Sequence, residues 1–179
     1  MLFRSLLGLD FATATEVAAE AAQGEVCQAA NDNDPAQVVV SGHRGAVERA
    51  LEIAKARGAK RALLLPVSAP FHCVLMQPAA AVMAEALAAV QVMAPKVPVV
   101  VNVRAEAVTE PDRIKALLVA QVTGPVRWRE SVLWMAGAGV TEFWEIGAGK
   151  ALSGMIRRTV VGAVTRAVGT PEEVAAASS

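Results

Sequence analysis

The sequence predicts an α/β protein whose first part is a split βαβ plait and whose remainder alternates strands with helices. Three observations predict it. Up to Val67, apolar positions switch between strand-like runs and helical spacing in the order strand, helix, strand, strand, helix, strand. From Pro78 onward, short runs of branched apolar residues alternate with helical segments, the pattern of a parallel or mixed sheet with helices on its faces. Hydrophobic residues are 54% of the 179 and charged residues 19%, with mean hydropathy +0.42, a balance that builds a core and excludes intrinsic disorder.

The elements follow in order. The apolar Met1–Leu9 run is the first strand. Thr13-Ala-Thr-Glu16 has the form of a capping box, and the Ala-rich run behind it stops at Gly24, which predicts a helix over Thr13–Gln23. Val26–Ala30 and Gln37–Val40 are predicted as short strands, separated by a turn at Asn31-Asp-Asn-Asp-Pro35. Ser41 can cap a second helix, in which Val47, Ala50, Leu51 and Ala54 recur at helical spacing until Gly58. Arg61–Val67 returns as a strand, completing the order of ferredoxin-like domains. Beyond it the spacing predicts helices over Pro78–Val90, Pro111–Gln121 (opened by Thr109 and Asp112), Val126–Ala138 and Lys150–Thr159. Strands are predicted over Val97–Val103, Thr141–Ile146 and Ala163–Val168. The expected division is a ferredoxin-like subdomain over 1–66, an α/β part over 67–170, and a frayed tail over 171–179.

Composition narrows the function. Lys and Arg total 17 and Asp and Glu 17, so no basic field exists to hold a nucleic-acid backbone. The stretch from Ala62 to Ala84 carries no full charge, but Pro66, Pro70 and Pro78 interrupt it, and each would cost a membrane helix a hydrogen bond that hydrocarbon cannot replace. No membrane span is expected. Cys27 and Cys73 fit no metal spacing and no disulfide framework, and with no signal peptide evident they read as reduced thiols in the cytoplasm. No metal and no cofactor is expected.

Several residues invite chemistry. His72 lies in Pro66-Val-Ser-Ala-Pro-Phe-His-Cys73, a proline-punctuated connection between strand and helix. An imidazole there can act as a general base, its ordinary pKa being about 6.5, or can be a hydrogen-bonded structural histidine. Cys73 is its chain neighbour, but adjacent side chains project apart, which argues against a Cys-His dyad. His43 reads as a surface residue. A hydrolase-type Gly-x-Ser-x-Gly elbow does not occur around any of the seven serines. Gly147-Ala-Gly-Lys150 invites a phosphate-loop reading, but Trp144 stands where the Walker pattern needs glycine and Ala151 replaces its hydroxyl, so a tight strand-to-helix turn is the better reading. Arg127, Arg129, Glu130, Arg157 and Arg158 read as solvated helix faces.

Taken together, Gly8-Leu-Asp10, Gln37-Val-Val-Val-Ser-Gly-His43, Ala46-Val-Glu-Arg-Ala50, Leu65-Pro-Val-Ser-Ala-Pro-Phe-His-Cys73, Leu75-Met76 with Pro78-Ala-Ala80, Pro98-Val-Val-Val-Asn102, Pro125-Val-Arg-Trp128 and Glu145-Ile-Gly-Ala-Gly-Lys150 resemble the malonyl-CoA:acyl carrier protein transacylases of fatty-acid synthesis. That resemblance implies a ferredoxin-like subdomain plus the C-terminal part of an α/β hydrolase-like acyltransferase domain. It also implies malonyl transfer from coenzyme A to the phosphopantetheine thiol of acyl carrier protein through a malonyl-serine intermediate. His72 matches the histidine that accepts the serine proton, and the backbone carbonyl of Gln121 the group that orients it. Phe71 stands where a phenylalanine favours malonyl over bulkier acyl groups. Asn31, Asn33 and the Gly147–Lys150 turn fall where the family lines its cleft, with Ala148 in place of the usual proline.

The same resemblance implies that the family's oxyanion loop, its Gly-His-Ser-x-Gly elbow and its carboxylate-binding arginine precede the segment matching Gly8. The expectation is therefore negligible transfer by this chain alone, and apolar faces left for another segment to cover. Besides malonyl-CoA and acyl carrier protein, a missing N-terminal half is an expected partner. Two alternatives stand beside this one: half of a split transacylase, or a non-catalytic module that docks acyl carrier protein through Arg157 and Arg158.

Overall fold

The computed structural model describes residues 2–64, 67 and 69–177. It divides into two compact units at Ser131–Val132.

The first unit begins with β1 (Leu2–Leu7), α1 (Phe11–Ala22), β2 (Cys27–Asp34), β3 (Gln37–Gly42), α2 (Arg44–Ala56) and β4 (Arg61–Leu64). The sheet order is β2-β3-β1-β4 with every neighbouring pair antiparallel, the ferredoxin-like arrangement the apolar order predicts. Pairing sets the faces. Leu6 stands opposite Val38, and both are fully buried with Val40 against Ala14, Val17, Ala18 and Ala21 of α1 and Ala46, Val47, Ala50 and Ala54 of α2. Small alanines on both helices let them lie close on branched strand residues, at about 25 cal/mol for each Å² of apolar area removed from water. Phe3, Ala30 and Val39 are buried in a second group.

Several local expectations are corrected. α1 starts two residues earlier than the capping box suggests: Asp10 is its N-cap, its carboxylate accepting the Thr13 N–H at 2.7 Å. Ser41 caps nothing, being buried within β3, and His43 is the N-cap of α2 without a side-chain cap bond. β2 runs straight through Asn31–Asp34, and the turn shrinks to Pro35 and Ala36. Two register shifts in the β2–β3 pairing, between Ala29 and Asn31 and between Asp32 and Asp34, absorb the irregular stretch. Val67 lies in no strand, while Leu65 and Pro66 fall outside the described residues.

The rest of this unit holds a short 3₁₀ turn at Val74–Met76, α3 (Gln77–Ala88), the antiparallel pair β5 (Val99–Val101) and β6 (Glu106–Val108), and α4 (Pro111–Thr123). β6 was not expected. α4 has Glu110 as N-cap with no side-chain cap bond, rather than being opened by Thr109 or Asp112. α5 (Trp128–Gly137) then crosses into the second unit, which contains β7 (Glu142–Ile146), α6 (Ala151–Thr159), β8 (Val164–Val168) and α7 (Pro171–Ala177). β7 and β8 pair in parallel. The segment expected to fray from Glu172 is helical through Ala177, its Glu173 carboxylate accepting the Gly169 and Thr170 N–H groups. Among the described residues, no helix is long and apolar enough to cross a membrane.

Candidate active site

The loop after Pro70 is pinned at several points, and His72 sits in its middle. Buried Cys73 donates its thiol to the Pro70 carbonyl at 3.1 Å and accepts from Ser41 Oγ at 3.8 Å, tying the loop to β3. The Val74 N–H donates to Gln28 Oε1 at 2.8 Å, tying it to β2. Phe71 packs edge-on to Phe3, ring centroids 6.5 Å apart and planes at 85°. Between these anchors His72 adopts φ +58°. A residue with a β-carbon pays of order 1 kcal/mol or more for that left-handed conformation, which persists only where its surroundings impose it.

His72 Nδ1 lies 3.2 Å from the backbone carbonyl of Gln121, in the last turn of α4. Position 125, whose N–H this carbonyl would accept in a continuing helix, is a proline, so the carbonyl can accept from the ring. With the proton held on Nδ1, the Nε2 lone pair is the basic position. The Gln121 carboxamide does separate work, donating to the carbonyls of Gly124 and Pro125 at 3.0 and 3.2 Å. Half-buried His72 opens onto a hollow of about 390 Å³ lined by Phe71, Met76, Met83, Leu118, Gln121 and Val122. The lining is apolar apart from the imidazole and the amide, which suits an acyl chain better than a charged polymer.

The other expected site residues are placed elsewhere. Asn31 and Asn33 lie on β2, partly buried, and do not line this hollow. Asn31 Oδ1 is buried with no hydrogen-bond partner among the described residues. His43 is no free surface residue: its Nδ1 accepts the Val26 N–H at 2.9 Å. Cys27 is unsuited to nucleophilic work, since burial, with Cys73 nearby, pushes its thiol up to about 11. Among the described residues no serine hydroxyl is hydrogen-bonded to His72: Ser5 and Ser41 meet Gln37 and Cys73, and Ser131 meets Asn102 and Arg127. Ser68 lies outside the described residues. Among the described residues, no three His, Cys, Asp or Glu side chains gather as a metal site.

The arginines are also corrected. Arg129 pairs with the buried Asp32, and Arg127 binds Glu130 and the Arg104 carbonyl, so neither belongs to a freely solvated face. Two positions 97 residues apart in the chain offer no sequence pattern from which such a pair could be read.

In the second unit, the turn at Gly147–Lys150 has Gly147 and Gly149 at φ +133° and +94°. The Glu145 carboxylate accepts the Leu152 and Ser153 N–H groups at 3.0 and 2.7 Å. Hydrogen bonding from Ser153, and then Leu152, holds this carboxyl below its ordinary range. An anion of the chain's own thus fills the start of α6, where a phosphate loop would bind its ligand.

Comparison with known proteins gives the family. Residues 4–174 match the acyl transferase domain family. The malonyl CoA-acyl carrier protein transacylase of Escherichia coli strain K12 is 47% identical over 173 residues, which cover 97% of this chain and 56% of that protein. Its counterpart in Bacillus subtilis strain 168 is 43% identical over 171 residues, covering 95% and 54%. The crystal structure of acyl-carrier-protein S-malonyltransferase from Burkholderia pseudomallei 1710b superposes with TM-score 0.94 at 46% identity, over 98% of this chain and 57% of that one. A type II PKS acyl-carrier protein in complex with its malonyl-transacylase gives TM-score 0.94 at 39% identity, with 98% and 57% covered. The chain spans a little over half the length of the relatives it matches. Because the family match runs from residue 4 to residue 174, nearly the whole chain, this chain belongs to the acyl transferase domain family.

Proposed function

We propose that this chain carries the base half of a malonyl-transfer site, the nucleophilic serine coming from outside its 179 residues. In this reading Nε2 of His72 takes the proton of a serine hydroxyl as the oxygen attacks the thioester carbonyl of malonyl-CoA. The tetrahedral intermediate collapses with the C–S bond breaking, His72 returns the proton to the leaving thiolate, and malonyl-serine remains. The thiol of acyl carrier protein then attacks the ester, giving its proton to His72, which passes it to the serine oxygen as that leaves. The observation that carries the reading is the His72 Nδ1 to Gln121 carbonyl contact.

Phe71, half-exposed beside the imidazole, is the side chain we assign to excluding an α-methyl branch. Asn31 and Asn33 are assigned to the cleft wall on family resemblance, with the unpartnered Asn31 Oδ1 as an acceptor. Arg157 and Arg158, exposed in the last turn of α6, supply positive charge for an acidic carrier protein, so that docking should weaken with salt.

Open apolar surface supports a covering segment. Val82 of α3, Met93, Ile146 of β7 and Val161 are 65%, 72%, 71% and 98% exposed, and parallel pairs such as β7–β8 are ordinarily buried on both faces. The test is complementation. The chain is mixed with a segment bearing the Gly-His-Ser-x-Gly elbow, and malonyl transfer to acyl carrier protein is followed. Transfer that needs both pieces and His72 is expected; transfer unaffected by His72→Ala would defeat the proposal.

A further inference from the structure

We infer that Pro125 is a positioning residue: by ending α4 without an N–H, it reserves the Gln121 carbonyl for His72. In a continuing helix the carbonyl of residue 121 would accept the N–H of residue 125. Proline has none, and its ring disfavours helical geometry at the residue before it. Gly124 accordingly turns extended, at φ −91° and ψ 155°. Gly124 still donates its own N–H to Ala120 at 2.9 Å, so the carbonyl one position earlier is consumed by the helix. The Gln121 carbonyl comes next, and the His72 ring takes it at 3.2 Å. After Pro125 the chain joins β2, the Val126 N–H donating to Ala30 and the Asp32 N–H to Val126, each at 2.8 Å. Those bonds hold the exit path; the missing N–H keeps α4 from reclaiming the carbonyl.

An alanine at position 125 would restore a donor and permit a helical Gly124, so that α4 could extend by one residue and compete with the imidazole. The consequence falls on the tautomer. His72 would lose its preference for the proton on Nδ1, and the lone pair would no longer be confined to Nε2, the atom that acts as base. This inference concerns the machinery of the function proposed above and rests on that reading for its catalytic meaning, but the tautomer can be read without any substrate.

The experiment is nitrogen-15 NMR of the histidine-labelled chain above the pH at which its imidazoles protonate. His43 is a built-in control, because its Nδ1 accepts from Val26 and its proton therefore belongs on Nε2. In the unsubstituted chain His72 should show the Nδ1–H form in roughly fivefold excess or more, as one net hydrogen bond gives. Pro125→Ala should lower that ratio by roughly fivefold with His43 unchanged, while an α-hydroxy acid at position 125, which also lacks the N–H, should keep it. A His72 ratio unmoved by Pro125→Ala would overturn the inference. So would an unsubstituted chain with its His72 proton mainly on Nε2, a result that needs no variant to fold. Either failure leaves serine-based transfer to be judged by the complementation assay, and loss of transfer in that assay would leave the tautomer result intact.

Discussion

Arg129 reaches from α5 to the buried carboxylate of Asp32 in β2, its Nε 3.0 Å from both oxygens and its Nη2 2.9 Å from Oδ2. Asp32 is 1% exposed and Arg129 30%. Burial pushes the Asp32 carboxyl up, and Arg129 opposes that shift. Alongside it run the Val126 bonds to β2, so the segment that follows Gln121 is fixed to the plait by charge and backbone together.

Arg129→Ala should therefore destabilise the chain by about 3 kcal/mol, the cost of leaving a buried charge unpaired. The sign with pH follows. A carboxyl raised in the folded state binds more protons there than in the unfolded chain, so its cost is greatest where it is ionised and fades as pH falls. Urea unfolding across pH should show the Arg129→Ala deficit narrowing toward acid. A deficit that widens would mean that Asp32 is not the partner that matters.

Gly42, the last residue of β3, has no room for a side chain where it pairs with the start of β2. A β-carbon there would stand 2.0 Å from the Val26 carbonyl oxygen, far inside contact distance, so the strands would have to part. Gly42→Ala should cost about 3 kcal/mol and disturb His43, which bonds the same residue's N–H. Thermal unfolding together with the His43 ring resonances checks both.

His72→Gly should change stability by less than about 1 kcal/mol, because relief of the left-handed strain offsets the lost hydrogen bond. His72→Ala retains the strain and should be the less stable of the two. Denaturant melts of the pair decide; a glycine variant well below the alanine one would show that φ +58° costs the fold little.

Glu145→Gln should loosen the start of α6, with faster exchange of the Leu152 and Ser153 amide protons. Its carboxyl lies below its ordinary 4.5 when folded, so the anchoring is present above that value and is lost as pH falls through the lowered one. Exchange in the unsubstituted chain should approach that of the variant in acid.

Much of this architecture was legible in the sequence, for identifiable reasons. The β1–α1–β2–β3–α2–β4 order shows because helices and strands that share one core must alternate their apolar periods. The reach of β2 through Asn31–Asp34 does not show: those residues favour turns, and pairing with β3, the backbone bonds to Val126 and the distant Arg129 hold them extended. β6 is too short, at three residues, to carry a period. In the candidate site, His72 stands out because prolines bracket its loop, whereas Phe71 is marked only by resemblance and Gln121 meets the ring through its backbone, which no side-chain pattern marks. Its place came only from resemblance to the transacylases.

The most direct test of the central claim is intact-mass analysis after exposure to malonyl-CoA, with the chain alone and with the elbow-bearing segment added. The malonyl adduct should appear on that segment's serine only in the mixture, and should form at least about a hundredfold more slowly with His72→Ala. A stable adduct on a serine of the 179-residue chain by itself, dependent on His72, would contradict it.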